Sequence, residues 1–136
     1  MQNQPPVQTA KSSTGLDENI AALLSYVFGW VSGLIFFLME KDSRLVRFHA
    51  MQSILLNALA LVIGIALMIV WFVLGLILSQ ISGLLSMLVG IVIWLIVLAF
   101  WLVLLVAFVM CLIKAYQKQF FKLPLIGNFA ERFSTK

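Results

Sequence analysis

The side chains of this 136-residue chain that could do chemistry are concentrated in one short segment. Residues 37–53 read FLMEKDSRLVRFHAMQS, and no Asp, Glu, Lys, Arg or His occurs between His49 and Lys114. Such a patch could hold lipid headgroups through its arginines or titrate near neutral pH through its histidine. Within and just after it lie the candidate residues of a polar entrance between helices, namely Arg44, Arg47, His49, Gln52 and Asn57.

The composition predicts that lipid, and not water, surrounds most of the chain. Hydrophobic residues make up 63% and charged residues 10%, against about half and about a quarter in soluble domains. Residues 50–113 carry no ionisable side chain except Cys111. About 20 apolar residues suffice to cross about 30 Å of hydrocarbon as a helix, so this stretch is long enough for more than one crossing.

We therefore expect an all-α integral membrane helical bundle with three transmembrane helices, at about 19–39, 50–78 and 84–113, and a short interfacial C-terminal helix. The turn signal at 79–83, SQISG, divides the uncharged stretch into two helices. Two turns in that stretch would give four spans, which is the alternative. The membrane domain covers 16–132, between a disordered polar tail at 1–15 and a short tail at 133–136.

The distribution of positive charge predicts an orientation in the cell membrane. Basic residues lie on both sides of the uncharged stretch, in the loop 40–49 and after residue 113, and the net charge is +4. Because cytoplasmic loops are enriched in Lys and Arg, we expect the loop 40–49 and the C-terminus in the cytoplasm and the N-terminus outside. A membrane-reentrant first segment would instead leave both termini inside.

Two regular spacings indicate contact surfaces. Ser25, Gly29 and Gly33 recur every four residues, a pattern that lets helix backbones approach closely, either within the chain or across a dimer face. Lys114, Lys118 and Lys122 have the same spacing and would form one helical stripe facing anionic lipid headgroups.

No catalytic, cofactor-binding or metal-binding motif is present in the sequence. The chain has one His, one Cys and no Asp or Glu between Asp42 and Glu131, which leaves no acid–base pair, no nucleophile with a base and no ligand cluster. We expect no enzymatic activity, no cofactor and no metal. Membrane lipids are a simpler partner for the basic residues than nucleic acid.

Three stretches together resemble the Tic20-like family of small prokaryotic membrane proteins, named for a chloroplast inner-envelope import component. They are residues 17–23 (DENIAAL), 40–53 (EKDSRLVRFHAMQS) and 115–127, with Val46 to Ser53 the most specific part. The resemblance implies an all-helical membrane protein without known enzymatic activity. It implies signature positions at Arg47, His49 and Gln52.

These observations leave three functional hypotheses. The leading one is a membrane protein that acts through helix–helix or protein–protein contacts, as a translocation-associated or scaffold subunit or a homo-oligomer. The second is a small-solute channel or carrier whose polar path would use Gln52, Asn57, Ser79, Gln80 and Ser86. The third is an anionic-lipid-binding protein that uses the lysine stripe.

Overall fold

The protein is all-helical over the residues that the structure, a computed structural model, describes, which are 11–134. Residues 1–10 of the predicted N-terminal tail and residues 135–136 of the predicted C-terminal tail lie outside that range. The expected all-α fold class is confirmed. The helices are α1 (Glu18–Val27), α2 (Trp30–Met39), α3 (Arg44–Ser79), α4 (Gly83–Tyr116) and α5 (Gly127–Ser134).

The chain divides into two compact units. The polar unit comprises the chain up to Asn57 and from Val109 onward, and the apolar unit comprises Ala58–Phe108. Helices α3 and α4 each run through both units. All the lysines and arginines that the structure describes belong to the polar unit.

The segment expected to cross the membrane as one helix is broken in the middle. Helix α1 ends at Val27 and α2 begins at Trp30, and each has ten residues. At 1.5 Å per residue, each helix is about 15 Å long, half of the hydrocarbon thickness. The break is at Gly29, whose backbone has φ 62° and ψ −135°, a conformation that only glycine adopts at low cost.

Helices α1 and α2 form a hairpin whose two open ends meet. The hydroxyl of Ser43, just after α2, donates to the carboxylate of Glu18, the first residue of α1. At the tip, Ser53 Oγ donates to the carbonyl oxygen of Gly29 at 3.0 Å. Ser53 lies nine residues into α3 from Arg44, or about 14 Å along its axis. The first segment therefore reverses direction at Gly29 and packs along α3 as two short helices.

Part of the predicted disordered tail is ordered by a carboxylate. Ser13 donates to Glu40 Oε1 from its backbone N–H at 3.0 Å and from its hydroxyl at 2.8 Å. Backbone hydrogen bonds from Ser12 to Leu16 and from Gly15 to Ser12 close a turn just before α1. Residues 11–15 of the predicted tail therefore form a turn held by a buried acceptor 27 residues away, which an argument from apolar burial alone does not find.

The apolar unit is an antiparallel pair formed by the facing parts of α3 and α4. The turn between them, at 80–82, coincides with the turn signal in the sequence. Ser86 Oγ donates to Gly75 O at 3.3 Å, and Gly64 lies against Trp101. Within Ala58–Phe108, all of which the structure describes, Ile93 is the one large apolar residue that is buried. Helices α3 and α4 are both long and apolar enough to cross a membrane, so lipid would cover the exposed side chains.

Close packing of the hairpin on α3 predicts a strong effect of one methyl group. A Cβ at Gly33 would lie 2.9 Å from the carbonyl oxygen of Ala50 and 3.2 Å from Cβ of Ser53. We expect Gly33→Ala to lower the free energy of unfolding by about 1–3 kcal/mol, because the α3 backbone must shift to make room for the added methyl group. The measurement is denaturant unfolding in detergent micelles followed by circular dichroism.

The matched control is Gly83→Ala, at the first residue of α4, since a Cβ there also meets nothing within 4 Å. Alanine has the higher helix propensity, so this change should be neutral or stabilise by up to about 1 kcal/mol. Equal destabilisation by both substitutions would contradict the packing described here.

Candidate functional site

The candidate site is a buried polar cluster in the polar unit. Its members are fully buried side chains from three helices: Tyr26 of α1, His49 and Gln52 of α3, and Cys111 of α4. The backbone of residues 119–123, which is not helical, lies against them. Two side chains of α3 therefore face an irregular segment that needs hydrogen-bond partners.

His49 joins this segment to the hairpin through both ring nitrogens. Its Nε2 lies 2.9 Å from the carbonyl oxygen of Gln119, which can only accept, so Nε2 carries the proton. Its Nδ1 lies 2.9 Å from the hydroxyl of Tyr26. In the neutral ring Nδ1 is then the acceptor and the tyrosine is the donor. Both nitrogens are occupied within the chain, so the histidine has a structural task.

Gln52 satisfies the same segment with both ends of its amide. Its Nε2 donates to the carbonyl oxygen of Phe121 at 2.9 Å, and its Oε1 accepts from the backbone N–H of Leu123 at 3.4 Å. The Nε2 group also lies 3.3 Å from Tyr26 Oη and 3.4 Å from Cys111 Sγ. The amide thus replaces the backbone partners that a helix or sheet would have supplied.

The polar residues at the hairpin tip also bond within the chain. Asn57 Nδ2 donates to the carbonyl oxygen of Ser53, one helical turn earlier, at 2.8 Å. A Cβ at Gly29 would lie 3.1 Å from Asn57 Oδ1. Asn57 therefore borders the tip of the hairpin and does not join the cluster of His49 and Gln52.

The two arginines predicted for a polar entrance occupy different surroundings. Arg47 Nη1 donates to the backbone carbonyl of Glu40 at 3.0 Å, and its guanidinium lies 4.7 Å from the centroid of Phe37. Arg44 is about half exposed and pairs with Glu131 at 3.4 Å. The structure therefore brings together His49 and Gln52 of the five predicted residues, while Arg44, Arg47 and Asn57 lie elsewhere in the polar unit.

Glu40 is a buried charged side chain of the polar unit that the sequence analysis did not single out. Its carboxylate is fully buried, and it accepts backbone hydrogen bonds from Asp42 at 3.0 Å and Ser43 at 2.8 Å as well as those from Ser13. Burial alone would raise the pKa of Glu40, but the hydrogen bonds from Ser13, Ser43 and Asp42 lower it below its usual value. The charged form therefore organises the loop between α2 and α3. A buried acid cannot be told from a surface acid by its residue type.

Of the two regular spacings in the sequence, the one of small residues forms a packing face and the one of lysines does not form a helical face. Ser25 is buried with its hydroxyl bonded to Ala22 O, and Gly29 and Gly33 face α3 of the same chain. The lysines do not form one helical face. Lys114 belongs to α4, which ends at Tyr116, and Lys118 has a left-handed backbone with φ 58°. The helix ends before Lys118 because the chain turns back along α3 toward Gln52.

The cluster contains one imidazole, one phenol and one thiol, and its hydrogen bonds lie within the chain. In residues 11–134 no three His, Cys, Asp or Glu side chains are grouped in a way that could hold a metal ion.

Of the residues expected along a polar path, Gln52 and Asn57 belong to the polar unit, and Ser79, Gln80 and Ser86 belong to the apolar unit.

Comparison with known proteins identifies the family. A family model described as the magnetosome magnetite crystal formation protein family matches residues 15–130. The chain belongs to this family. A UPF0132 membrane protein of Methanocaldococcus jannaschii is 36% identical over 127 residues, which cover 91% of this chain and 94% of that protein. A UPF0132 membrane protein of Archaeoglobus fulgidus is 38% identical over 117 residues, covering 86% and 95%. No solved structure matches the chain.

The expected Tic20-like assignment is wrong, and the protein-transport role that it implied is withdrawn with it. The family match covers residues 15–130, whereas the resemblance was carried by short stretches centred on Val46 to Ser53. His49, Gln52 and Ser53 in that stretch bond carbonyl oxygens of neighbouring segments. Backbone satisfaction of this kind is needed in any membrane protein with irregular segments, so a short polar motif on a helix is a weak marker of a particular family. The chain is a small membrane protein of the magnetosome and UPF0132 family.

The role of Gln52 can be tested with a substitution of similar size. Gln52→Leu removes the partners of Phe121 O and Leu123 N. Leaving such buried groups unsatisfied should lower the free energy of unfolding by about 1–3 kcal/mol. Chemical denaturation in micelles measures the loss. Gln80→Leu is the control, because Gln80 is exposed in the turn and its side-chain Nε2 lies 3.4 Å from the hydroxyl of its neighbour Ser79. Equal loss in both variants would argue against the assigned role.

Proposed function

We propose that the protein is a non-catalytic membrane scaffold that acts through lateral association of its apolar unit with a second copy of the chain. The proposal is supported by the hydrogen bonds of the candidate site, whose polar groups bond other groups of the same chain. His49, Gln52 and Ser53 each bond a backbone carbonyl of another segment. These residues therefore hold the irregular segments in place, and the apolar unit, whose large side chains are mostly exposed, offers a surface for interaction.

The apolar unit carries a groove suited to a helix of a second copy. The groove has a volume of about 510 Å³ and is lined by Trp71, Gly75, Ser86, Gly90 and Trp94, among others. Gly75 has nothing within 4 Å of its Cβ position, so its surface is open. In lipid, glycines that let backbones approach closely and aromatic rings beside them favour helix association by van der Waals contact.

A solute channel is less well supported by the same observations. Gln52 bonds Phe121 and Leu123 and is fully buried. Asn57 bonds Ser53, and Ser86 bonds Gly75. Magnetite crystal formation is named in the description of the family. The scaffold role proposed for this chain is inferred from its packing geometry instead.

We further propose that the polar unit faces the cytoplasm with both ends of the described chain. Ser13 bonds Glu40, and Arg44 pairs with Glu131, so the beginning and end of the described chain and the loop between α2 and α3 lie together. Two helices, α3 and α4, are long enough to span. An even number of crossings keeps all the basic residues of the polar unit on one side, as the positive-inside rule favours.

Cysteine accessibility tests this topology in intact cells. In a Cys111→Ala background, a membrane-impermeant maleimide should label a cysteine at Ile81 from outside. Cysteines at Lys11 and Lys41 should be labelled only after permeabilisation, because the hairpin enters and leaves on the cytoplasmic side. External labelling at Lys11 with internal labelling at Lys41 would restore the three-span topology and contradict a re-entrant hairpin.

Association is tested by counting subunits of fluorescently labelled protein in lipid bilayers at low density. Wild type should form dimers or larger oligomers, and Gly75→Leu should reduce the associated fraction by about tenfold or more, since bulk in the groove opposes contact. Ala99→Leu, which adds similar bulk at an exposed position outside the groove, should leave association unchanged. A monomeric wild type would overturn the proposal.

A further inference from the structure

Two basic side chains of the polar unit share one carboxylate. Arg44 Nη2 lies 3.4 Å from Glu131 Oε1, and Lys122 Nζ contacts the other oxygen, Oε2. The three side chains are 52%, 43% and 38% exposed, in the order Arg44, Lys122, Glu131. Two cations therefore converge on one anion at an accessible site, and the local charge is +1.

The geometry around Arg44 favours recognition of an anion. Its guanidinium lies 5.4 Å from the centroid of Phe120, which supports a cation from one face and fixes its direction. Arg44 is also the first residue of α3, and the N-terminus of a helix carries partial positive charge. Neither feature is needed for a surface ion pair.

The position of the site selects a lipid as the source of that anion. Arg44 begins one of the two helices that are long enough to span the membrane, which is the level at which headgroup phosphates lie. The segment that supplies Lys122 and Glu131 also exposes Leu125 and Phe129, at 78% and 54%. Exposed apolar side chains beside basic ones are typical of a segment at the headgroup–acyl boundary.

We propose that Arg44 and Lys122 form a binding site for the phosphate group of an anionic phospholipid, and that Glu131 occupies this site as a built-in competitor when no lipid is bound. The carboxylate presents two oxygens to the two cations, as a phosphodiester would. The hydrogen bond from Lys122 lowers the pKa of Glu131, so the competitor is charged at neutral pH. Exposed ion pairs contribute little to stability, so a phosphate can replace the carboxylate.

The site differs from the lysine stripe expected from the sequence and does not depend on the association of the apolar unit. Of the three stripe lysines, only Lys122 takes part. Lys114 donates to Gln119 Oε1 at 3.0 Å, and its position in α4 gives it different neighbours. The pairing of residue 44 with residue 131 spans 87 positions, so the sequence carried no signal for it.

The test measures binding of fluorescent phosphatidylglycerol to the full-length protein in a neutral detergent. Glu131→Gln should tighten binding by about threefold to tenfold, because a competing charge is removed. Arg44→Gln and Lys122→Gln should each weaken it by a similar factor. The double variant Glu131→Gln/Arg44→Gln should lose the gain seen with Glu131→Gln alone, which a non-specific gain from misfolding would not do, so the proposal stays falsifiable even if the other single variants lose stability.

Charge-matched controls separate the site from general attraction. Asp17→Asn removes one negative charge from an exposed position at the start of α1, and Arg132→Gln removes one positive charge next to Glu131. Both should leave binding within about twofold of wild type, since general charge effects at exposed sites are weak and screened. If Asp17→Asn tightened binding as much as Glu131→Gln, or Arg132→Gln weakened it as much as Arg44→Gln, the proposal would be overturned.

A competition arm separates a lipid from free phosphate. Short-chain phosphatidylglycerol should displace the fluorescent lipid, whereas inorganic phosphate at the same concentration should not, because it lacks the acyl chains that contact the exposed apolar residues. Displacement by both at equal concentration would overturn the lipid assignment.

Discussion

The polar unit depends on one constraint, which is that backbone outside a helix must find hydrogen-bond partners before it can be buried. In a bilayer, where no water can substitute, an unsatisfied carbonyl costs several kcal/mol. Five consecutive residues of α3 supply three of these partners. His49 bonds Gln119, Gln52 bonds Phe121, and Ser53 bonds Gly29. This need explains why a helix among the most apolar parts of the chain begins with a polar face.

The first segment reverses direction at Gly29, where it contacts α3. The carbonyl oxygen of Gly29 accepts the first backbone hydrogen bond of α2, from Gly33 at 3.2 Å, and another from Ser53 Oγ at 3.0 Å, while the absence of a side chain at Gly33 allows the contact to be close. At the open end, the buried carboxylate of Glu40 caps three backbone N–H groups, those of Ser13, Asp42 and Ser43. Both ends of the hairpin are thus held by polar groups, although its outer surface is apolar.

Composition predicted much of this fold, and its failures have physical causes. The length of the uncharged stretch and the signal at 79–83 were enough to place α3 and α4, because helix formation in lipid is governed by apolar content. The break at Gly29 was missed because the residues on both sides of it are as apolar as a continuous span. Glycine permits its positive φ, but nothing local requires it. What requires it is contact with Ser53, which is known only once the segments are folded together.

The candidate site residues were likewise only partly predictable from the sequence. The polar character of His49 and Gln52 was visible in the sequence, and their partners were not, because those lie 70 and 69 residues away and are backbone atoms of unremarkable residues. The lysine spacing suggested a helical face that the end of α4 at Tyr116 does not allow. Spacing arguments hold only as far as the helix continues.

The division of the polar unit between the two ends of the chain has a consequence for biosynthesis. His49 and Gln52 leave the ribosome about 70 residues before Gln119, Phe121 and Leu123. During that interval α3 enters the membrane with an imidazole and an amide that lack their final backbone partners, and contacts so distant in sequence close late. Until residues 119–123 are in place, this polar face of α3 must find other hydrogen-bond partners. Truncation upstream of residue 119 would leave His49 and Gln52 without their backbone partners.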